Sequence, residues 1–328
     1  MPGMSLQVGD QFDRYQIRSS MAQGGMGSIY RAVDVTTGQE VAIKIPDPTM
    51  IGDPAQYERF QRELEVMKTL RHPAIQHGVA SGLFNRTPFL VTELVDGQSM
   101  RQWVQQHAPL PPDEAVRLIR KIADAIAFCH ENNVIHRDLK PENILITPEG
   151  EPVIIDFGLA LTKGAHRITY SNLSSAAGTP EYMAPEQVEG QRGDQRTDLY
   201  ALGIMFYELL AGKPPFTGDT PLAIMAQHTQ APLPRLDHVR PDISPQLAAI
   251  VARCLQRNPD DRFPDLRAFI AALDHPETAD LSILEKGTGP ATAVPFWRTQ
   301  QAVMVGTIML IALAVVVLAF ASQALRAR

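Results

Sequence analysis

The amino-acid sequence predicts an α+β chain of two lobes, a small strand-rich lobe holding one helix and a larger helical lobe, followed by an apolar C-terminal helix. Three observations carry this. Short β-branched and aromatic runs set apart by glycine-containing turns fill the first ninety residues, apolar residues recur at helical spacing from about Met100 onward, and residues 302–321 carry no charge.

Strands are expected at residues 15–17, 29–33 and 41–45, where Tyr, Ile and Val suit a pleated, half-buried surface. One helix spans 53–70, because Tyr57, Phe60, Leu64 and Met67 fall on one face and leave Glu58, Arg59 and Arg62 on others. Helical repeats then run over 115–132, 198–211, 221–230, 245–256 and 265–273. The small lobe is thus 12–93, a hinge 94–97 and the large lobe 98–273. Residues 274–298 mix Pro, Gly, Thr and Ala without a period, which predicts a linker. In 302–321 only Gly306 and Thr307 interrupt Met, Val, Ile, Leu, Ala and Phe. A globular helix of that length keeps a polar face, so a bilayer span is expected. Trp297 and Arg298 suit one interface and Arg326 and Arg328 the other, with 322–328 as a short tail.

The chain has 328 residues, with 30 Lys and Arg against 36 Asp and Glu, and no run of one sign. Nothing in that balance points to a nucleic-acid partner. Cys129 and Cys254 each sit in an apolar helical pattern, which predicts buried free thiols rather than a metal site. Residues 1–12 lack the basic start and apolar stretch of a secretory signal.

Chemistry begins at Ala22-Gln23-Gly24-Gly25-Met26-Gly27-Ser28-Ile29, which lies between two expected strands, not between a strand and a helix. That context argues against a dinucleotide fold and for a hairpin whose backbone amides approach phosphate oxygens where a side chain would obstruct. Alone, such a segment is an ordinary tight turn. It gains weight from Val41-Ala42-Ile43-Lys44 on the next strand and Glu63 on the helix, the proposed partner that orients Lys44 toward the α- and β-phosphates. The strongest signal is His136-Arg137-Asp138-Leu139-Lys140-Pro141-Glu142-Asn143 followed, after an apolar stretch, by Asp156-Phe157-Gly158. Asp138 suits the proton acceptor for an attacking hydroxyl, Lys140 a cation for the γ-phosphate, and Asn143 with Asp156 a pair of hard oxygen ligands for magnesium. Each taken singly is a polar turn residue; the joint pattern is not.

Together with Gly178-Thr179-Pro180-Glu181-Tyr182-Met183-Ala184-Pro185-Glu186, these elements over residues 12–273 resemble the eukaryotic-like serine/threonine protein kinases of bacteria, many of them held by one membrane helix. The resemblance implies the two-lobed protein kinase fold, with ATP in the cleft and Mg2+, replaceable by Mn2+, as the metal. It places Ala42, Thr92, Glu93 and Val95 around the nucleotide, with Thr92 limiting access to the back of the pocket. Asp198 corresponds to a buried aspartate that braces the catalytic loop, and Glu186 with Arg262 to an ion pair of the large lobe. Lys140 and Thr179 match the serine/threonine branch. One departure is Ala22, which stands where the family has the first glycine of the phosphate loop.

Arg137 before the catalytic aspartate implies an acceptor for a phosphorylated activation segment, with Thr169, Ser171, Ser174 and Ser175 as candidate sites and Thr162 a lesser one. Autophosphorylation there implies a transient homodimer. A membrane-tethered pseudokinase is the competing reading, opposed by the presence of Lys44, Asp138, Asn143 and Asp156. A kinase of small molecules is opposed by the 178–186 segment, which implies protein substrates bearing Ser or Thr. Use of ATP sets the kinase domain in the cytoplasm at the inner (plasma) membrane, crossed once.

Overall fold

Tyr15, Ile17, Tyr30, Ala32, Val41, Ile43 and Ile45 alternate with more exposed neighbours, and that period of two gives the small lobe one buried sheet face. In the computed structural model, which describes residues 6–24, 27–46, 69–85, 87–157, 161–162 and 180–286, this face belongs to a six-stranded antiparallel sheet. Its strands are β1 (Gln11–Phe12), β2 (Tyr15–Gly24), β3 (Gly27–Asp34), β4 (Glu40–Ile45), β5 (Gly78–Phe84) and β6 (Thr87–Glu93), in the order β1-β2-β3-β4-β6-β5. Phe12 and Phe89 meet edge to face at 5.2 Å in its core. All the described elements belong to one compact unit, residues 1–289.

Beyond residues 94–97, the strand β7 (Gln98–Ser99) leads into helix α1 (Met100–His107), whose first turn the Ser99 side chain caps by accepting from the Gln102 amide. Helix α2 (Pro112–Glu131) buries Leu118, Ile119, Ile122, Ile126 and Cys129 along one face. Then come β8 (Val134–Ile135), β9 (Ile144–Ile146), β10 (Pro152–Ile154) and β11 (Leu161–Thr162). β7, β9 and β10 form a three-stranded sheet, and β8 pairs with β11.

The rest of the large lobe is helical: α3 (Pro185–Val188), α4 (Gln195–Ala211), α5 (Pro221–Gln230), α6 (Leu236–Val239), α7 (Pro245–Cys254) and α8 (Leu266–Asp274). α4 is its axis, buried from Thr197 to Leu210 with neighbours on every side. α4 packs against α2 and α7. At Gly203 a methyl group would stand 2.6 Å from the Cys254 Cβ, so α4 and α7 are close enough there to exclude any side chain. Overpacking of that kind costs about 1–3 kcal/mol. Asp194 caps the helix through the Arg196 amide, and Gly212 ends it in the left-handed region.

The expected strands lie inside β2, β3 and β4, and the expected helix 221–230 coincides with α5. All but the last two residues of the expected helix 53–70 lie outside the described residues, as does everything from 287 onward, including 302–321. Among the described residues no helix is long and apolar enough to cross a membrane. The segment read as linker is folded in its first part. A 3-10 turn (Pro276–Thr278) and helix α9 (Ser282–Lys286) follow α8, and Ala279 and Leu284 pack on the large-lobe core. Too few apolar residues fall in so short a stretch for a period to show.

Both cysteines are buried free thiols, and burial pushes each thiol well above its ordinary pKa.

Candidate active site

The catalytic loop takes its shape from one buried carboxylate. Asp198, on the first turn of α4 and wholly buried, accepts the His136 amide at 2.8 Å on Oδ2 and the Arg137 amide at 2.7 Å on Oδ1. His130, near the end of α2, adds a ring nitrogen 2.8 Å from Oδ2. Burial opposes charge on this carboxyl, yet the bond from His130, the two imidazole rings and the Arg137 amide together hold it below its ordinary value. The chain between strands β8 and β9 is thereby pinned, with Arg137 at φ 63°. Gln187 on α3 donates to the Arg137 carbonyl at 2.9 Å.

Asp138 follows that anchor. Its Oδ2 receives Lys140 Nζ at 2.8 Å and Asn143 Nδ2 at 3.3 Å, and its carbonyl receives the same Asn143 nitrogen at 2.8 Å. Oδ1 has no partner among the described residues, so it remains free to accept a hydroxyl proton. The Asn143 nitrogen is committed to Asp138, which leaves its Oδ1 as the acceptor of that side chain. Asp156 stands at φ 63°, and the next residue, Phe157, is fully buried with its ring 5.0 Å from that of His136. Amide and carboxylate oxygens are the donors magnesium prefers, and magnesium takes few protein ligands when phosphates complete its shell. Asn143 and Asp156 fit that requirement.

Lys44 lies on β4 opposite Ile29 and Leu90, and its Nζ is 3.4 Å from Asp156 Oδ1. The proposed partner Glu63 lies outside the described residues. The β2–β3 hairpin pairs Ala22 with Ile29, Gln23 with Ser28 and Gly24 with Gly27, with Gly27 at φ 125°, a conformation that favours glycine. Ala22 is exposed, so its methyl group displaces nothing in the sheet; Gly25 and Met26 lie outside the described residues. Ala42 and Thr92 are buried cross-strand partners, and the Glu93 amide donates to the His77 carbonyl at 3.0 Å while the Glu93 carboxylate accepts the His77 amide at 2.9 Å. Val95 is half-buried in the connection that follows.

Glu186 and Arg262 form a buried two-point pair at 2.8 and 2.7 Å. Arg262 also donates to the carbonyls of Gln256, Arg196 and Arg257, and Thr197 donates to Glu186. Arg137 is different: its Nε and Nη1 are buried without partners among the described residues. Burial and the nearby Arg192 lower its pKa, against Asp198 and Asp194, so it is a cation short of anions. Gly158, Thr169, Ser171, Ser174, Ser175 and Thr179 lie outside the described residues, and Thr162 is described only as part of β11. Sequence reasoning missed His130 and Gln187, whose roles arise from contacts across 68 and 50 residues of chain.

Residues 15–276 match the family model described as protein kinase domain. The serine/threonine-protein kinase PknL of Mycobacterium tuberculosis is 37% identical over 261 residues, covering 80% of this chain and 65% of PknL. PknB of Mycolicibacterium smegmatis is 36% identical over 260 residues, 76% of this chain and 41% of PknB. The chain thus spans less than two thirds of the length of these relatives. The crystal structure of the Mycobacterium tuberculosis PknI kinase domain superposes with a TM-score of 0.64 at 28% identity, covering 83% of this chain and all of that one. With the family match running through both lobes and the site between them, this chain belongs to the protein kinase family.

Proposed function

We propose that this chain is an ATP-dependent serine/threonine protein kinase, anchored by residues 302–321 in the inner membrane with its kinase domain in the cytoplasm. The observation that carries the reading is Asp138, held in place by Asp198 through the two preceding amides and left with one carboxylate oxygen uncommitted. Lys44 binds the α- and β-phosphates. Asp138 accepts the hydrogen bond of the acceptor hydroxyl and aligns its oxygen with the γ-phosphorus. The new O–P bond forms as the bond to the β,γ-bridging oxygen breaks; ADP leaves with that electron pair, and the hydroxyl proton passes to Asp138 and then to water. Lys140 offers its charge to the γ-phosphoryl oxygens. Asn143 and Asp156 would hold Mg2+, or Mn2+ in its place, which would supply neutralisation of the phosphate charge.

Lys140 two residues after Asp138, Thr179, and the names of the relatives favour serine and threonine acceptors in proteins. The presence of all four catalytic and metal positions weighs against a pseudokinase. Arg137, with two buried donors lacking partners among the described residues, suits a phosphate on Thr169, Ser171, Ser174 or Ser175, placed there by a second copy of the chain. Transfer of label from γ-labelled ATP with magnesium to a protein acceptor, followed by phosphoamino-acid analysis, tests the reading. Phosphoserine or phosphothreonine is expected; nucleotide binding without any transfer would instead support the pseudokinase.

A further inference from the structure

The peptide that leads into Asp138 is held at both of its polar groups by side chains. The Asp138 amide donates to His136 Nδ1 at 3.3 Å, and the Arg137 carbonyl accepts from Gln187 Nε2 at 2.9 Å. With the Arg137 amide on Asp198 Oδ1, the chain is fixed on either side of Arg137, which stands in the left-handed region at φ 63°. A residue with a side chain keeps that conformation only where surrounding contacts impose it.

Gln187 reaches the loop from 50 residues further along the chain. It is the third residue of α3, and its Oε1 accepts the Ala184 amide at 3.0 Å, which satisfies one of the open donors at the start of that helix. With Oε1 on an N–H and Nε2 on a carbonyl, the side-chain amide has one orientation; turning it over would set N–H against N–H and oxygen against oxygen. Its mount is rigid as well, because the preceding residue, Glu186, is tied to Arg262 at 2.8 and 2.7 Å. α3 is also the first α-helix described after residue 162, so it follows the candidate phosphorylation sites at 169–175 in the chain.

We propose that Gln187 is a positioning residue for Asp138: it holds the Arg137 carbonyl, so that the catalytic loop takes its place from α3 as well as from α4. This rests on the protein kinase reading above. The position of α3 is thereby passed, through one hydrogen bond, to the peptide that carries the proton acceptor. The bonds of Gln187 to Arg137 and Ala184 do not involve Lys44, Asp156 or the β2–β3 hairpin, so their loss lowers the rate of transfer and leaves ATP binding alone. Misplacement of a reacting group by about 1 Å is enough to lower a rate by roughly two orders of magnitude.

The test uses the full chain in detergent, with dephosphorylated casein as acceptor, and compares wild type with Gln187→Met and Gln187→Glu. Gln187→Met removes both side-chain bonds and is expected to lower kcat by about fivefold or more, with the KM values for ATP and casein each within about twofold. Gln187→Glu keeps the size of the side chain and the acceptor for the Ala184 amide but replaces the donor, and it should lower kcat by a similar factor. A role confined to capping α3 would instead leave Gln187→Glu at the wild-type rate. If Gln187→Met does not fold, Gln187→Glu decides by the same criterion. A smaller loss of kcat in Gln187→Glu, or a rise in either KM in place of that loss, overturns the proposal while leaving the kinase reading in place. A wild-type chain that transfers nothing overturns both.

Discussion

Replacing Asp198 with Asn probes how the fold delivers a catalytic geometry. The carboxylate accepts three hydrogen bonds, two from the backbone amides directly before Asp138 and one from His130. An Asn side chain keeps one oxygen and turns its nitrogen toward a donor. If that nitrogen replaces Oδ1, the Arg137 amide loses its acceptor and is left buried, at about 1–3 kcal/mol, while the two bonds on Oδ2 fall from charge-assisted to neutral strength, about 1 kcal/mol each. The smaller desolvation of a neutral amide offsets part of this, leaving a net loss of about 3 kcal/mol. For a domain of this size that is a fall in Tm of roughly 6–12 °C. The loosened loop should also lower kcat by about a hundredfold with little change in the KM for ATP. Urea and thermal unfolding give the first quantity and initial rates of phosphate transfer the second. Asp198→Asn within about 1 kcal/mol of wild type and fully active would refute the reasoning, because the amides would then be held by something else.

Three other outcomes follow from the same geometry. Arg262→Met leaves Glu186 buried with Thr197 as its one side-chain donor among the described residues, which should destabilise by about 3–5 kcal/mol, and adding Glu186→Gln should recover part of that loss in a double-mutant cycle. His228, buried beside Tyr200 and Phe216, has its pKa pushed down by burial to about 4 from 6.5. The unfolded chain therefore binds that proton first as pH falls, so stability should drop by about 3 kcal/mol between roughly pH 6.5 and 4 and level off below; His228→Asn, which keeps an acceptor for Tyr200, should flatten that part of a urea-midpoint profile. Asn143→Ala should raise the magnesium concentration needed for half-maximal transfer by about tenfold or more, read from rates at saturating ATP.

How much of this was legible in the sequence depended on the range over which each signal acts. Helix α5 could be bounded to the residue because Thr220, as N-cap, and Pro221, in the first turn, mark its start locally. The start of α4 was placed too late, at 198, although Asp194 was there to be read as a cap. β2 extends well past 17 because residues 18–23 are mostly exposed and polar, and they are held by pairing with β3 rather than by an apolar face. β7, β9 and β10 are two or three residues long, too short for any period to register. At the site, the motifs named Asp138, Lys140, Asn143 and Asp156 through spacing alone. They could not say that Lys44 meets Asp156 across 112 residues, that His130, on a helix that reads as an ordinary packing element, bonds the Asp198 carboxylate, or that Arg101 reaches Glu142.

The most direct test of the central claim is the rate of phosphate transfer by Asp138→Asn measured beside wild type, with nucleotide affinity and unfolding midpoint determined on the same samples. Asn keeps the shape and one acceptor oxygen, so folding and ATP binding should hold. The account predicts a loss of about 100- to 10,000-fold in kcat, the range for removal of a positioned general base. A variant that binds ATP normally and transfers phosphate within about tenfold of wild type would contradict the role of Asp138 and the mechanism built on it.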